Sequence, residues 1–153
     1  MHSTGSKSAP VITVLIVEDN ELLIDFYRQA LAGLGDTKVI VARNGYEGLI
    51  EVCEHQPQIV IADLSMPQFD GFKMLRILDN DRKHRPDHFI VISGLDTREI
   101  EAAGGLPQGA QLIQKKQLTS ALIHSLVNRC SQGLSPARSG GEVVQTPPQA
   151  PER

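Results

Sequence analysis

Gln58-Ile59-Val60-Ile61-Ala62-Asp63-Leu64-Ser65-Met66-Pro67-Gln68-Phe69-Asp70-Gly71 is the stretch from which the rest of the chain is read. An apolar, β-branched run stops on the carboxylate of Asp63, passes into a turn of Pro, Asp and Gly, and gives way to a helical pattern at Phe72. That pattern describes a buried strand with an acid at its carboxyl end. Ligands of open α/β sheets bind at that edge, so Asp63 reads as a functional carboxylate beside the plainer reading of a turn or capping residue.

The same alternation extends in both directions. Upstream, 11–17 is an almost unbroken β-branched run ending on Glu18-Asp19-Asn20, a second acidic strand end. Asn20 then caps a helix with Leu23, Tyr27, Ala30, Leu31 and Leu34 on one side, closed by Gly33 and Gly35. A strand follows over 38–42. Asn44 and Glu47 form a capping-box spacing that opens a helix expected to turn Tyr46, Leu49, Ile50 and Cys53 inward and to stop before Pro57. Gly48 weakens that helix by about 1 kcal/mol relative to Ala.

Downstream, a helix is expected from Phe72 to Asn80 with Leu75 and Leu78 buried, followed by a charged turn over 81–87 in which Arg82 to Arg85 reads as a solvated loop. Phe89 to Ile92 is a fourth strand ending at Ser93-Gly94. Asp96 and Glu99 cap a short helix that fails at Gly104-Gly105, Gln111 to Gln114 is a short fifth strand ending at Lys115, and Thr119 caps the last helix. Five strands alternating with five helices predict an α/β fold, one parallel sheet covered on both faces through right-handed crossovers.

The chain of 153 residues, 41% hydrophobic, suits one domain with loose ends: a flexible leader over 1–10, a folded unit over 11–130 and a polar tail or linker over 131–153. A net charge of −3 leaves no basic face for nucleic acid, so direct DNA binding is not expected. No apolar run is long enough for a membrane span, and the first ten residues lack a signal-peptide core. Cys53 and Cys130 have neither metal-ligand nor redox-motif spacing and read as core or half-buried thiols, which suits a cytoplasmic protein.

Set side by side, the strand ends present Glu18, Asp19, Asp63, Ser93 and Lys115 to one crevice. Three neighbouring carboxylates would repel by on the order of several kcal/mol, which asks for a cation, and all-oxygen ligands favour Mg²⁺ or Mn²⁺. With the cation present, Asp63 stays ionised and can attack phosphorus, giving an aspartyl phosphate.

These residues carry a resemblance. Val14-Leu15-Ile16-Val17-Glu18-Asp19-Asn20, Asp63-Leu64-Ser65-Met66-Pro67 with Asp70-Gly71, Val91-Ile92-Ser93-Gly94, and Gly109-Ala110 ahead of Lys115 resemble the bacterial response-regulator receiver domain of two-component signalling. The resemblance spans about 11–128 and implies a flavodoxin-like (βα)5 fold. It implies that Asp63 accepts phosphate from a sensor histidine kinase or phosphotransfer protein, catalysing only its own phosphorylation and dephosphorylation. It further implies that Glu18, Asp19, Asp63 and the Ser65 carbonyl hold Mg²⁺, that Ser93 meets the phosphoryl group and that Lys115 pairs with it. Ser65 and Leu95 occupy the family positions that tune the lifetime of the acyl phosphate.

The chain departs from the pattern twice. Lys115-Lys116 stands where Lys-Pro is usual, and counting from Gly109 favours Lys116 while the strand spacing favours Lys115 as the active lysine. The strand-five aromatic is replaced by Leu112 or Ile113. The expected function is a phosphorylation-dependent switch acting on a protein partner, or else a phosphorelay intermediate or a fragment of a larger regulator. A Mg²⁺-dependent phosphohydrolase would want an acid where Ser65 stands, and a flavin carrier would want a phosphate loop where Glu18-Asp19-Asn20 stands.

Overall fold

The computed structural model describes residues 11–64 and 71–132. Five strands, β1 (Ile12–Val17), β2 (Thr37–Ala42), β3 (Ile59–Asp63), β4 (His88–Ser93) and β5 (Gln111–Gln114), form one sheet in the order β2-β1-β3-β4-β5. All neighbours pair in parallel. The helices are α1 (Glu21–Leu31), α2 (Gly45–His55), α3 (Gly71–Asp79), α4 (Thr97–Ala102) and α5 (Ser120–Ser131). Because the winding reverses between β1 and β3, the carboxyl ends of those two strands open a crevice that no crossover covers.

Alternation along the strands divides the interior into two apolar layers. Val14, Ile16, Ile61 and Ile92 face Tyr27, Leu31, Ile123 and Val127 of α1 and α5. Leu15, Val17, Val60 and Val91 face Val52, Met74, Leu75 and Leu78 of α2 and α3. The caps form as their spacing indicates. Asn20 accepts from the amides of Leu22 and Leu23, Asn44 from Glu47, and Thr119 from Leu122, while Asp96 and Glu99 close a full capping box. At α2 the reciprocal bond differs, since Glu47 Oε1 takes the amide of Arg43 rather than that of Asn44.

The face of α2 is the main correction. Tyr46 and Ile50 are 68% and 55% exposed and Cys53 is exposed, whereas Gly45, Gly48 and Val52 face the sheet with Leu49 beside them. A Cβ on Gly48 would lie 3.0 Å from Met74 Sδ and 3.2 Å from Val17 Cγ2. The glycine therefore lets the helix approach β1 and α3 closely, and the helix turns its bulk outward. The first helix also ends earlier than Gly33, at Leu31, and Arg85 is held in place by Asp79 at 2.7 Å and stacks over Phe89 rather than lying in solvent. Among the described residues no helix is long and apolar enough to cross a membrane. The leader, most of the tail, and Ser65, Met66, Pro67, Phe69 and Asp70 lie outside the described residues.

Candidate functional site

Strand register builds the site. Val17 pairs with Ala62, so the next residue on each strand, Glu18 and Asp63, meets the other across the crevice. The amide of Glu18 donates to Ala42 O at 2.9 Å, keeping its backbone in the sheet, and Asp63 is backed by β4 through Ile92. Ser93 follows Ile92 and pairs with Gln114, which hands the chain to Lys115 and a single 3₁₀ turn over Lys115–Gln117.

Lys115 Nζ donates to Asp63 Oδ2 at 2.9 Å, and Lys116 is exposed. No cis peptide occurs among the described residues, so the Lys115–Lys116 bond is trans. Glu18 and Asp63 are only 2% and 3% exposed, and Ser93 is fully buried. Asp19 is not drawn in with them and is exposed. Successive side chains on extended backbone point to opposite sides, so burying Glu18 turns its neighbour out to the rim. Ser93 Oγ accepts from the amide of Leu95 at 2.8 Å, and Gln114 Nε2 donates to Leu95 O at 3.1 Å. Leu95 itself is half-buried above the end of β4, and Ser65 lies outside the described residues.

Burial, and next the charge on Asp63, push the Glu18 carboxyl up to about 7, while the amide of Asn20 opposes the shift by donating to Oε2 at 3.1 Å. Its other oxygen, Oε1, is buried with no hydrogen-bond donor among the described residues. Two carboxylates can share a hydrogen bond only when one carries a proton. With both ionised, Oε1 is left facing negative charge in a desolvated crevice. The Tyr27 hydroxyl, buried and likewise lacking a hydrogen-bond partner among the described residues, is pushed well above its ordinary value by burial and then by the charges of Glu18 and Asp63.

An orphaned carboxylate oxygen beside a second carboxylate fits a small, hard dication that keeps part of its water shell, as Mg²⁺ does with one or two protein carboxylates. The oxygens of Glu18, Asp19 and Asp63 do not form a closed three-residue cage. Among the described residues, the group of three candidate ligands within 4.8 Å of one another is Glu51, Glu54 and His55 at the end of α2. Sequence reading missed Gln114, whose bond to Leu95 joins residues 19 apart and leaves no local signal.

Comparison with known proteins agrees with this architecture. The family model for the response regulator receiver domain matches residues 14–128. A protein-glutamate methylesterase/protein-glutamine glutaminase of Oleidesulfovibrio alaskensis is 32% identical over 116 residues, 72% of this chain and 30% of that protein. The polar-differentiation response regulator DivK of Brucella anthropi is 35% identical over 81 residues, 53% of this chain and 63% of that protein. The chain thus spans less than two thirds of either relative. Among solved structures, the signal receiver domain of a histidine kinase from Syntrophus aciditrophicus superposes with a TM-score of 0.72 at 24% identity, covering 88% of this chain and all of that one. A chemotaxis response regulator of Vibrio cholerae gives 0.64 at 18%, covering 78% and 98%. Both show the same fold.

Proposed function

The chain belongs to the response regulator receiver domain family, and we propose that Asp63 is its phosphoacceptor, so that phosphorylation of this one carboxylate changes the affinity of the domain for a protein partner. The observation that carries the reading is the Lys115–Asp63 contact at 2.9 Å, made at a buried strand end beside the orphaned Oε1 of Glu18.

The donor is the phosphohistidine of a sensor kinase or phosphotransfer protein. A carboxylate oxygen of Asp63 forms the new P–O bond as the P–N bond breaks, and the departing imidazole takes up a proton. The ammonium of Lys115 neutralises charge on the phosphoryl oxygens. Ser93, at the end of the neighbouring strand, supplies a hydroxyl to those oxygens. Glu18 and Asp63 would hold Mg²⁺, with Asp19 reaching it from the rim and the Ser65 carbonyl completing the set. The ion supplies charge neutralisation and phosphate orientation when bound.

The output is a changed protein surface. The near-balanced charge supports a protein partner over DNA. Two unpaired thiols, Cys53 exposed and Cys130 half-buried, support a reducing, cytoplasmic setting. Incubation with acetyl phosphate and Mg²⁺ should add one phosphoryl group by intact mass, and Asp63→Asn should take up none, because an amide is not a competent nucleophile. Undiminished labelling of the variant would remove Asp63 from the reading.

A further inference from the structure

Ser93 is the buried last residue of β4, and the two residues after it, Gly94 and Leu95, link the strand to the capping box of α4 with little side-chain packing to hold them. Among the described residues a Cβ built on Gly94 meets nothing within 4 Å, and Leu95 is only half-buried. Among the described residues, two hydrogen bonds hold them instead. The amide of Leu95 donates to Ser93 Oγ at 2.8 Å, and the carbonyl of the same residue accepts from Gln114 Nε2 at 3.1 Å. Gln114 is in turn the backbone partner of Ser93 across the β4–β5 ladder and the residue immediately before Lys115. One side chain on a four-residue strand therefore ties the Ser93 loop to the lysine that grips Asp63.

We infer that Gln114 is a positioning residue for phosphoryl transfer at Asp63: its amide clamps the Leu95 carbonyl and so fixes the Ser93 hydroxyl relative to Lys115. The inference rests on Asp63 being the phosphoacceptor. Transfer to phosphorus depends on holding reacting and stabilising groups within a fraction of an ångström, and a glycine-containing loop loses that placement when its side-chain tether to the neighbouring strand is cut. A neutral hydrogen bond of ordinary strength corresponds to about a fivefold change in the population of the tethered loop.

The test compares wild type, Gln114→Met, which keeps length and removes the donor, Gln114→His at about pH 8, whose neutral ring retains an N–H at similar reach, and a Gln111→Met control at the exposed start of β5. Two quantities are read: the rate of phosphoryl incorporation from acetyl phosphate with Mg²⁺, and hydrogen exchange at the Leu95 amide. Gln114→Met should lower the rate about fivefold and speed exchange at Leu95 by a similar factor, with exchange at Ile113 and Ile100 unchanged. Gln114→His should recover at least half the rate, and Gln111→Met should match wild type.

A wild-type rate in Gln114→Met overturns the inference while leaving Asp63 in place, as does slowing without faster Leu95 exchange. A Gln111→Met defect equal to that of Gln114→Met would mean that the strand, not the tether, is responsible. Absence of any labelling in wild type would overturn the phosphoacceptor reading and this inference with it.

Discussion

Glu18→Gln should stabilise the metal-free protein at alkaline pH. In the folded chain the Glu18 carboxyl sits at about 7 against an ordinary 4.5, raised first by burial and then by Asp63. Between those values the folded chain keeps a proton that the unfolded chain has released, so stability falls as pH rises from 4.5 to about 7. Below that window both states are protonated and no cost remains. Above it both are ionised, and the full cost of a second buried carboxylate is present. A change of this size corresponds to about 3 kcal/mol, or about 10 °C in Tm for a domain of this length.

The amide keeps the shape of Glu18, removes the charge and can donate to Asp63. The chain has no tryptophan, so urea unfolding is best followed by far-UV circular dichroism, in EDTA, at intervals from about pH 5 to 8. Wild type should lose stability across that range, and Glu18→Gln should follow a flatter curve and exceed wild type at the upper end. Mg²⁺ at about a hundred times its dissociation constant should return about 2.7 kcal/mol to wild type and much less to the variant. A wild-type curve that is flat or rises over this range, or a variant no more stable at about pH 8, would refute the account of a desolvated, mutually repelling pair.

Lys115→Ala removes the ammonium from a buried carboxylate and should cost about 1–2 kcal/mol along with most of the phosphorylation rate, whereas Lys116→Ala, at an exposed position, should stay within about 0.5 kcal/mol of wild type. Equal losses from the two would contradict the placement of Lys115. Gly48→Ala should lower Tm, because overpacking against Met74 and Val17 costs about 1–3 kcal/mol and the gain in helix propensity returns only about 1; a higher Tm would mean that the close approach of α2 does not depend on the glycine. Leu95→Glu combined with Ser65→Asn should shorten the phosphorylated lifetime about tenfold, as measured by phosphate release, because each supplies a group able to orient water. Decay at the wild-type rate would assign the lifetime to Lys115 or the metal instead.

Most of the architecture could be read from sequence because its determinants are local. Asn20, Asn44, Asp96 and Thr119 each cap a helix through an amide two or three residues away, a distance set by covalent geometry. The β-branched runs needed only their own alternation and turn residues. Reading α2 failed because bulk was taken as a sign of the inner face. Which side of a helix packs inward depends also on how near its neighbours come, and Gly48 meets Met74, 26 positions further along, and Val17, at the end of β1.

The strand ends Glu18, Asp63, Ser93 and Lys115 were legible for the same local reason, each being the residue at which an apolar run stops. The sequence by itself thus determined the element order, the caps and the chemical types gathered at one edge. Only the tertiary structure decided that Glu18 is buried against Asp63 while Asp19 stays at the rim, that Lys115 rather than Lys116 reaches the carboxylate, and that Gln114 donates to the Leu95 carbonyl. Desolvation, repulsion and a hydrogen bond between distant segments are properties of what surrounds a group in space, and those surroundings come into being only when the strands are laid side by side.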